Sequence, residues 1–375
     1  MWTQKANFPG QARYEAIAFS IGNDGYVGCG ANFSTGQIFN DFWSYNPQTN
    51  SWSQKANVPG FARYGAMGFE VNGKGYVGTG YNFANTPQND FYEYDPSLNT
   101  WMPKASFIGA ARYDACGISS AGYGYTGFGY NGINQLDFYK FDPSTNSWTQ
   151  KQAFTGSARQ SISTFVLNGL IYICGGGNSN GFSFGDCWSF DVTNNTWSQK
   201  SNFPTPRFAT VSFTLNGKGF VGLGWNNNTS FSDFYWYDDV LNVWSFASNT
   251  PFNGRFAGDG FEIGNAGFIC LGRDEFNVYY NDLWQYAPAV GLNEVNNTDC
   301  NLTYNPHDKT IGIRSGNQRS NPFYLVIYNV HGSQIFKREV KVGEHFIFDK
   351  AKGVYVYTIS NNKEVLKKGK FNIAG

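Results

Sequence analysis

The sequence predicts an all-β protein: a six-bladed β-propeller closed by its N-terminal strand, followed by a small C-terminal β-sandwich. Three observations predict it. Trp recurs at 2, 52, 101, 148, 197 and 244, at spacings of 50, 49, 47, 49 and 47 residues. Around it three more marks recur six times in constant order: Arg at 13, 63, 112, 159, 207 and 255; a Gly-rich segment ending at Gly30, Gly80, Gly129, Gly176, Gly224 and Gly272; and Asp at 41, 90, 137, 186, 233 and 282 opening an aromatic-rich segment. Composition agrees, because 19% aromatic residues and 45 Gly suit short strands joined by many turns.

The second unit shows how each repeat is built. Strand a runs from Tyr64 to Val71, and Asn72-Gly73-Lys74 makes a tight turn. Strand b runs from Gly75 to Gly80, a longer loop follows, and strand c covers Phe91 to Tyr94. Asp95-Pro96-Ser97-Leu98-Asn99 is a second turn, and strand d carries Trp101. Four antiparallel strands per ~50 residues is a propeller blade. The chain starts on a d strand at Trp2, and the sixth unit has no Trp after Tyr286-Ala287-Pro288. Trp2 is therefore expected to complete blade six and remove the open edge. A Trp kept in every blade reads as scaffold rather than as a ligand contact.

The Gly-rich end of strand b, the aromatic segment of strand c and the Trp of strand d together resemble the kelch repeat, over residues 1–288. One feature departs from that pattern. The kelch double Gly is intact only at Gly175-Gly176; blades one, two, three and five have Gly-x-Gly, and blade six has Cys270-Leu271-Gly272.

Strand order places the b–c and d–a loops on the face that holds the repeated arginines, and leaves tight turns on the other. Loops on a rigid scaffold commonly carry function. The b–c loops are rich in Asn and aromatics and poor in Lys, which suits a sugar or an extended peptide, although Asn-Gly turn chemistry explains part of the pattern. Candidate ligand contacts are Arg13, Arg63, Arg112, Arg159, Arg207 and Arg255, with Tyr81, Tyr130, Trp225 and Arg273 from the loops. In some kelch proteins Arg at this slot contacts acidic ligands, which implies a carboxylate or phosphate site here. The opposing expectation is that each Arg pairs with its blade's Asp.

Some kelch-like propellers are enzymes, among them copper galactose oxidases and sialate mutarotases. All three His of this chain lie at 307, 331 and 345, so an imidazole copper site inside the propeller is excluded and no metal or cofactor is expected. Glu15, Asp114 and Asp259 follow their blade's Arg by two, two and four residues. Period-2 alternation puts them on the same strand face as that Arg. They are the candidate acid–base groups of a metal-independent mutarotase or epimerase, or else members of buried ion pairs.

The formal charge is zero, which argues against a whole-chain nucleic-acid binder. It divides into −5 for residues 1–288 and +5 for residues 289–375. No apolar run is long enough to span a membrane. Spacing allows Cys174 and Cys187 to face each other across a hairpin, either bonded or as free buried thiols, and no CxxC pair suggests zinc. Met1-Trp2-Thr3-Gln4-Lys5 offers no signal peptide, which leaves a cytosolic protein or a trimmed leader.

The tail loses the Trp pattern and has strand-like stretches at Thr310–Arg314, Phe323–Asn329, Glu344–Phe348, Gly353–Ile359 and Lys367–Ile373. Four segments, Tyr304-Asn305-Pro306, Leu325-Val326-Ile327-Tyr328-Asn329 with Gly332, Lys352-Gly353-Val354-Tyr355-Val356-Tyr357 and Lys367-Lys368-Gly369-Lys370-Phe371, resemble the C-terminal sorting domain of the Bacteroidota type IX secretion system. The alternative is an Ig-like accessory domain. The resemblance implies export through the secretion machinery to the cell surface or beyond. The expected whole is an exported monomer that binds a neutral or acidic glycan, or a protein, on its Arg and aromatic face.

Overall fold

A computed structural model of the chain describes residues 1–84, 86–287, 300–305, 309–315, 323–328, 334–341, 344–350, 353–360 and 365–373. It is all-β, with no helix among the described residues. The chain divides into two compact units, Trp2–Tyr286 and the C-terminal residues from Ala287 with Met1.

The first unit is the six-bladed propeller. Blade two has strands Met67–Val71, Lys74–Gly78, Phe91–Asp95 and Thr100–Pro103, hydrogen-bonded in that order from the inside outward. Blade six takes Asp259–Ile263, Ala266–Cys270 and Leu283–Tyr286 from the end of the unit and Trp2–Lys5 from its start, in the register Trp2↔Tyr286 to Lys5↔Leu283. The ring therefore closes as the sequence predicts.

Neighbouring blades are stitched by repeated contacts. The Trp52, Trp101, Trp148, Trp197 and Trp244 indoles each donate to a backbone carbonyl of the preceding blade, at 2.8–3.0 Å. Trp2 donates instead to Ser248 Oγ at 3.0 Å. Cores of Phe, Tyr and Val fill the space between sheets; Tyr45, Val27 and Phe8, for example, pack with Phe261, Phe268 and Leu283 across the closure.

Strand a differs from the sequence prediction in one respect. In place of one strand from Tyr64 to Val71, Tyr64 forms an isolated bridge with Tyr81, and the regular strand begins at Met67. The break falls two residues after the repeated Arg in every blade. Glu15, Gly65, Asp114, Ser161, Ala209 and Ala257 all have φ between 50° and 58°. Left-handed backbone is unusual for any residue but Gly, and it persists only where surroundings hold it. Here the six N–H groups each donate to the carbonyl of the equivalent residue one blade back, at 2.8–3.2 Å, so the bonds run in a closed circle about the propeller axis.

The second unit has two sheets. One is Cys300–Asn305, Thr310–Ser315 and His345–Ile347; the other is Gln334–Val340, Phe323–Tyr328, Gly353–Ser360 and Val365–Ile373. Ile311, Ile313 and Phe346 from the first and Leu325, Ile327, Val340, Tyr355, Tyr357 and Ile359 from the second share one core, which makes this a sandwich. Two of its strands, Cys300–Asn305 and Gln334–Val340, carry too many polar residues to stand out by alternation. Pro306, Asn329, Gly332 and Lys352 of the sorting-domain resemblance lie outside the described residues.

Candidate functional site

The six repeated arginines are the most deeply buried charged side chains of the propeller, at 0–1% exposure. Arg159 shows the arrangement. Its Nη1 and Nη2 donate to Asp186 Oδ1 and Oδ2 at 2.6 and 2.9 Å, and Nη1 also donates to the Gly175 carbonyl at 3.0 Å. Phe154 and Phe184 cover the guanidinium, with ring centroids 5.0 and 4.0 Å away. Each of the other five pairs with its own blade's Asp, at 41, 90, 137, 233 or 282. A charge taken so far out of water requires such full hydrogen bonding. Arg13, Arg63, Arg112, Arg159, Arg207 and Arg255 are thus occupied from within the chain, and the anion site expected from them is not available to a ligand.

Their second partner explains the altered Gly pattern. Each Nη1 donates, at 2.9–3.2 Å, to the carbonyl at the first position of the kelch double Gly: Cys29, Thr79, Phe128, Gly175, Leu223 and Leu271. That position has φ of 57–67°, which a pinned non-glycine residue can hold. The next has φ of 87–95° and is always Gly. A Cβ there at Gly80 would also stand 3.0 Å from the Tyr64 carbonyl oxygen.

The left-handed break separates two residue sets that alternation would have kept together. Arg turns in between blades, and the residue two positions later lines the axis. Glu15, Asp114 and Asp259, from blades one, three and six, join Gly65, Ser161 and Thr210 around an axial cavity of about 150 Å³. No Lys, Arg or His lines it. Asp114 Oδ2 accepts from Ser161 Oγ at 3.1 Å. Its Oδ1 occupies room that Gly65 leaves, since a Cβ on Gly65 would lie 2.6 Å from it. Glu15 Oε2 and Asp259 Oδ2 are shielded from solvent and, among the described residues, have no hydrogen-bond partner. Burial pushes the Asp259 carboxyl up to about 7 and that of Asp114 up to about 6. Burial first, and then the Asp114 charge, hold Glu15 well above the usual carboxylate range.

Directly above this floor stands an aromatic wall. The residue after each Arg is aromatic in five blades: Tyr14, Tyr64, Tyr113, Phe208 and Phe256. Each bridges to the residue after the second Gly position of its blade, which is Tyr81, Tyr130 or Trp225 in blades two, three and five and Arg273 in blade six. The rings touch from blade to blade. Tyr113 lies 4.8 Å from Tyr81 and 5.7 Å from Tyr130, and Phe33, 47% exposed, spans Tyr14 and Tyr64 at 5.6 and 5.3 Å. Trp225 stacks on Phe256 at 5.0 Å and 13°. The Arg273 guanidinium lies over both Tyr14 and Phe256, 4.8 and 4.9 Å from their centroids, with Nη1 donating to Asn277 Oδ1 at 2.6 Å. Among the described residues it makes no carboxylate ion pair. The arc is open only at blade four, where Gln160 pairs with Gly177. The structure therefore brings Tyr81, Tyr130, Trp225 and Arg273 into one rim. The aromatic residue that follows Arg in five of the six blades is also visible in the sequence, as a fifth repeated mark.

Among the described residues, no group of three or more His, Cys, Asp or Glu is arranged to hold a metal. Among the same residues there is no helix long and apolar enough to cross a membrane. Cys174 and Cys187 are opposed in register and form a disulfide.

Comparisons with known proteins agree with this architecture. The Kelch motif matches residues 158–204, which hold the double Gly, Arg159, Asp186 and Trp197. No curated protein matches the chain. A solved structure titled "Structure of YjhT" superposes with a TM-score of 0.64 at 16% sequence identity, covering 74% of this chain and 95% of that one. A likeness at that identity shows the fold. The chain carries a Kelch motif in a kelch-type propeller followed by a β-sandwich.

Proposed function

We propose that the propeller is a binding module for a glycan, held in the axial mouth on the face where the b–c loops gather. The observation that carries this is the continuous aromatic arc around the mouth. Aromatic faces stack on the C–H faces of sugar rings, and rigid Tyr and Trp side chains lose little entropy in doing so. Trp225, partly exposed and backed by Phe256 at 5.0 Å, is the largest of these rings. The open side at Gln160 and Gly177 is where a chain longer than one residue leaves the mouth. The C-terminal sandwich, through its resemblance to type IX sorting domains, is proposed to direct export to the cell surface or medium. A disulfide in blade four suits such an oxidising compartment.

One observation favours a second function at the same site. Asp114 and Asp259 titrate near neutral pH in a small cavity, as general acid–base groups for sugar mutarotation or epimerisation would.

A glycan-array screen of the full chain tests the binding proposal. Saccharide binding that weakens about tenfold or more in Trp225→Ala is expected. Retention of proteins but of no saccharide would replace the glycan with a protein ligand. Anomer interconversion faster than in buffer, abolished in Asp259→Asn, would establish the enzyme.

A further inference from the structure

We infer that the axial cavity takes a positively charged ammonium group of the ligand, so that the favoured saccharide carries a free amine. This rests on the proposed glycan-binding mouth and reverses the sign of ligand charge that the arginine pattern suggested.

Three facts carry it. First, the six cations that would have attracted an anion are paired within the blades, and the cavity floor has three carboxylates with no basic residue in its lining. Second, Glu15 and Asp259 are among the lining residues, and among the described residues nothing donates to Glu15 Oε2 or Asp259 Oδ2. A buried acceptor left unpaired is costly, and a group with several N–H donors would satisfy both. Third, aromatic rings gather around the mouth, and two of them, Tyr14 and Phe256, already hold the Arg273 cation on their faces, the kind of surroundings in which ammonium groups are recognised. An ammonium has three donors that rotate freely, which suits carboxylates contributed by separate blades. A sugar carboxylate has no N–H donor to offer these oxygens.

The charged and titratable groups around the floor are few. Glu15 faces Asp114, Asp259 and Arg273, and Asp259 also faces Arg13 and Cys270. Tyr14, Tyr64 and Tyr113 feel the Glu15 and Asp114 charges. Arg273 is the nearest cation on the rim, and the aromatic rings of Tyr14 and Phe256 hold it there. An ammonium arriving below it displaces protons from carboxyls that hold them near neutral pH, so binding releases protons.

The test is calorimetric titration of the full chain at pH 7 with three probes: free-amine glucosamine oligomers, the same oligomers N-acetylated, and trilysine. The free-amine oligomers are expected to bind about tenfold or more tightly than the acetylated ones, with proton release seen as a dependence of the heat on buffer ionisation. Glu15→Gln and Asp259→Asn, which keep side-chain shape, should each remove that advantage. Equal affinity for both oligomers would overturn the ammonium inference while the glycan mouth stands. Binding of trilysine and of neither oligomer would keep the ammonium pocket but move it to a peptide ligand and sink the glycan proposal. Binding of none of the three would overturn the inference, and the array screen would then decide the glycan mouth separately.

Discussion

Arg63 is charged, yet its side chain has no contact with solvent. It reaches Asp90, with Nη2 to Oδ2 at 2.7 Å, and also the Thr79 carbonyl at 3.0 Å. Removing one member of such a pair strands the other, which in buried pairs costs about 3–5 kcal/mol. Asp90 keeps 29% exposure, so Arg63→Ala should lie at the low end, ~3 kcal/mol in denaturant unfolding, and should leave ligand affinity of the folded fraction unchanged. A large affinity loss with unaltered stability would return the arginines to the ligand site. The left-handed girdle makes a second residue-scale prediction. Gly65→Ala puts a Cβ against Asp114 at φ +58°, whereas Ala209→Gly relieves strain. The first should destabilise by more than about 1 kcal/mol and the second should not destabilise at all. Equal losses in thermal unfolding would show that the girdle geometry does not govern the break.

At the scale of elements, four repeated marks were enough to read six blades and the closure by Trp2, because spacing and order survive where single residues vary. The break in strand a was not legible. Ser161, Ala209 and Ala257 carry none of the Gly or Asn preference that advertises left-handed backbone, since a tertiary hydrogen bond rather than local propensity holds them there. Alternation therefore joined Glu15 and Asp114 to the face of their arginines, when the fold turns the two apart. Burial of the arginines was equally undecided by sequence, because the same Arg and Asp spacing serves a ligand site or an internal pair. The aromatic wall, by contrast, was written in the residue after Arg in five of the six blades. Cys174 and Cys187 make the element-scale prediction. Denatured without reductant, the protein should show two fewer reactive thiols than the six Cys of the sequence, and Cys187→Ser should lower stability by about 2–4 kcal/mol. Six reactive thiols in protein recovered from its native compartment would contradict the disulfide.

For the whole molecule, the axis and the blades respond to pH in opposite senses. Glu15, Asp114 and Asp259 hold protons to higher pH in the folded chain than in an unfolded one, whose carboxyls titrate near pH ~4. Between about pH 4 and 7 the folded state binds more protons, so stability falls as pH rises through that window. Asp186 works the other way. Burial raises its carboxyl, but the Arg159 hydrogen bonds and charge outweigh this and hold it below the ordinary value. Its contribution is complete above the unfolded carboxylate range and is lost as pH falls through its folded value. The thermal midpoint should therefore rise from pH 8 to about pH 5 and decline below pH ~4. Glu15→Gln with Asp259→Asn should flatten the first slope. A midpoint that climbs steadily from pH 5 to 8 would show that the axial carboxyls are not held neutral.

All three scales converge on the mouth of the propeller, where rings from five blades stand over a floor with unpaired carboxylate oxygens. The most direct measurement is a crystal structure of the full chain with a bound glucosamine oligomer. The account predicts a sugar ring against the aromatic wall near Trp225 and Tyr113, with its amine directed at Glu15 and Asp259. A sugar bound at the tight-turn face, or on the outer strands of a blade, would contradict it.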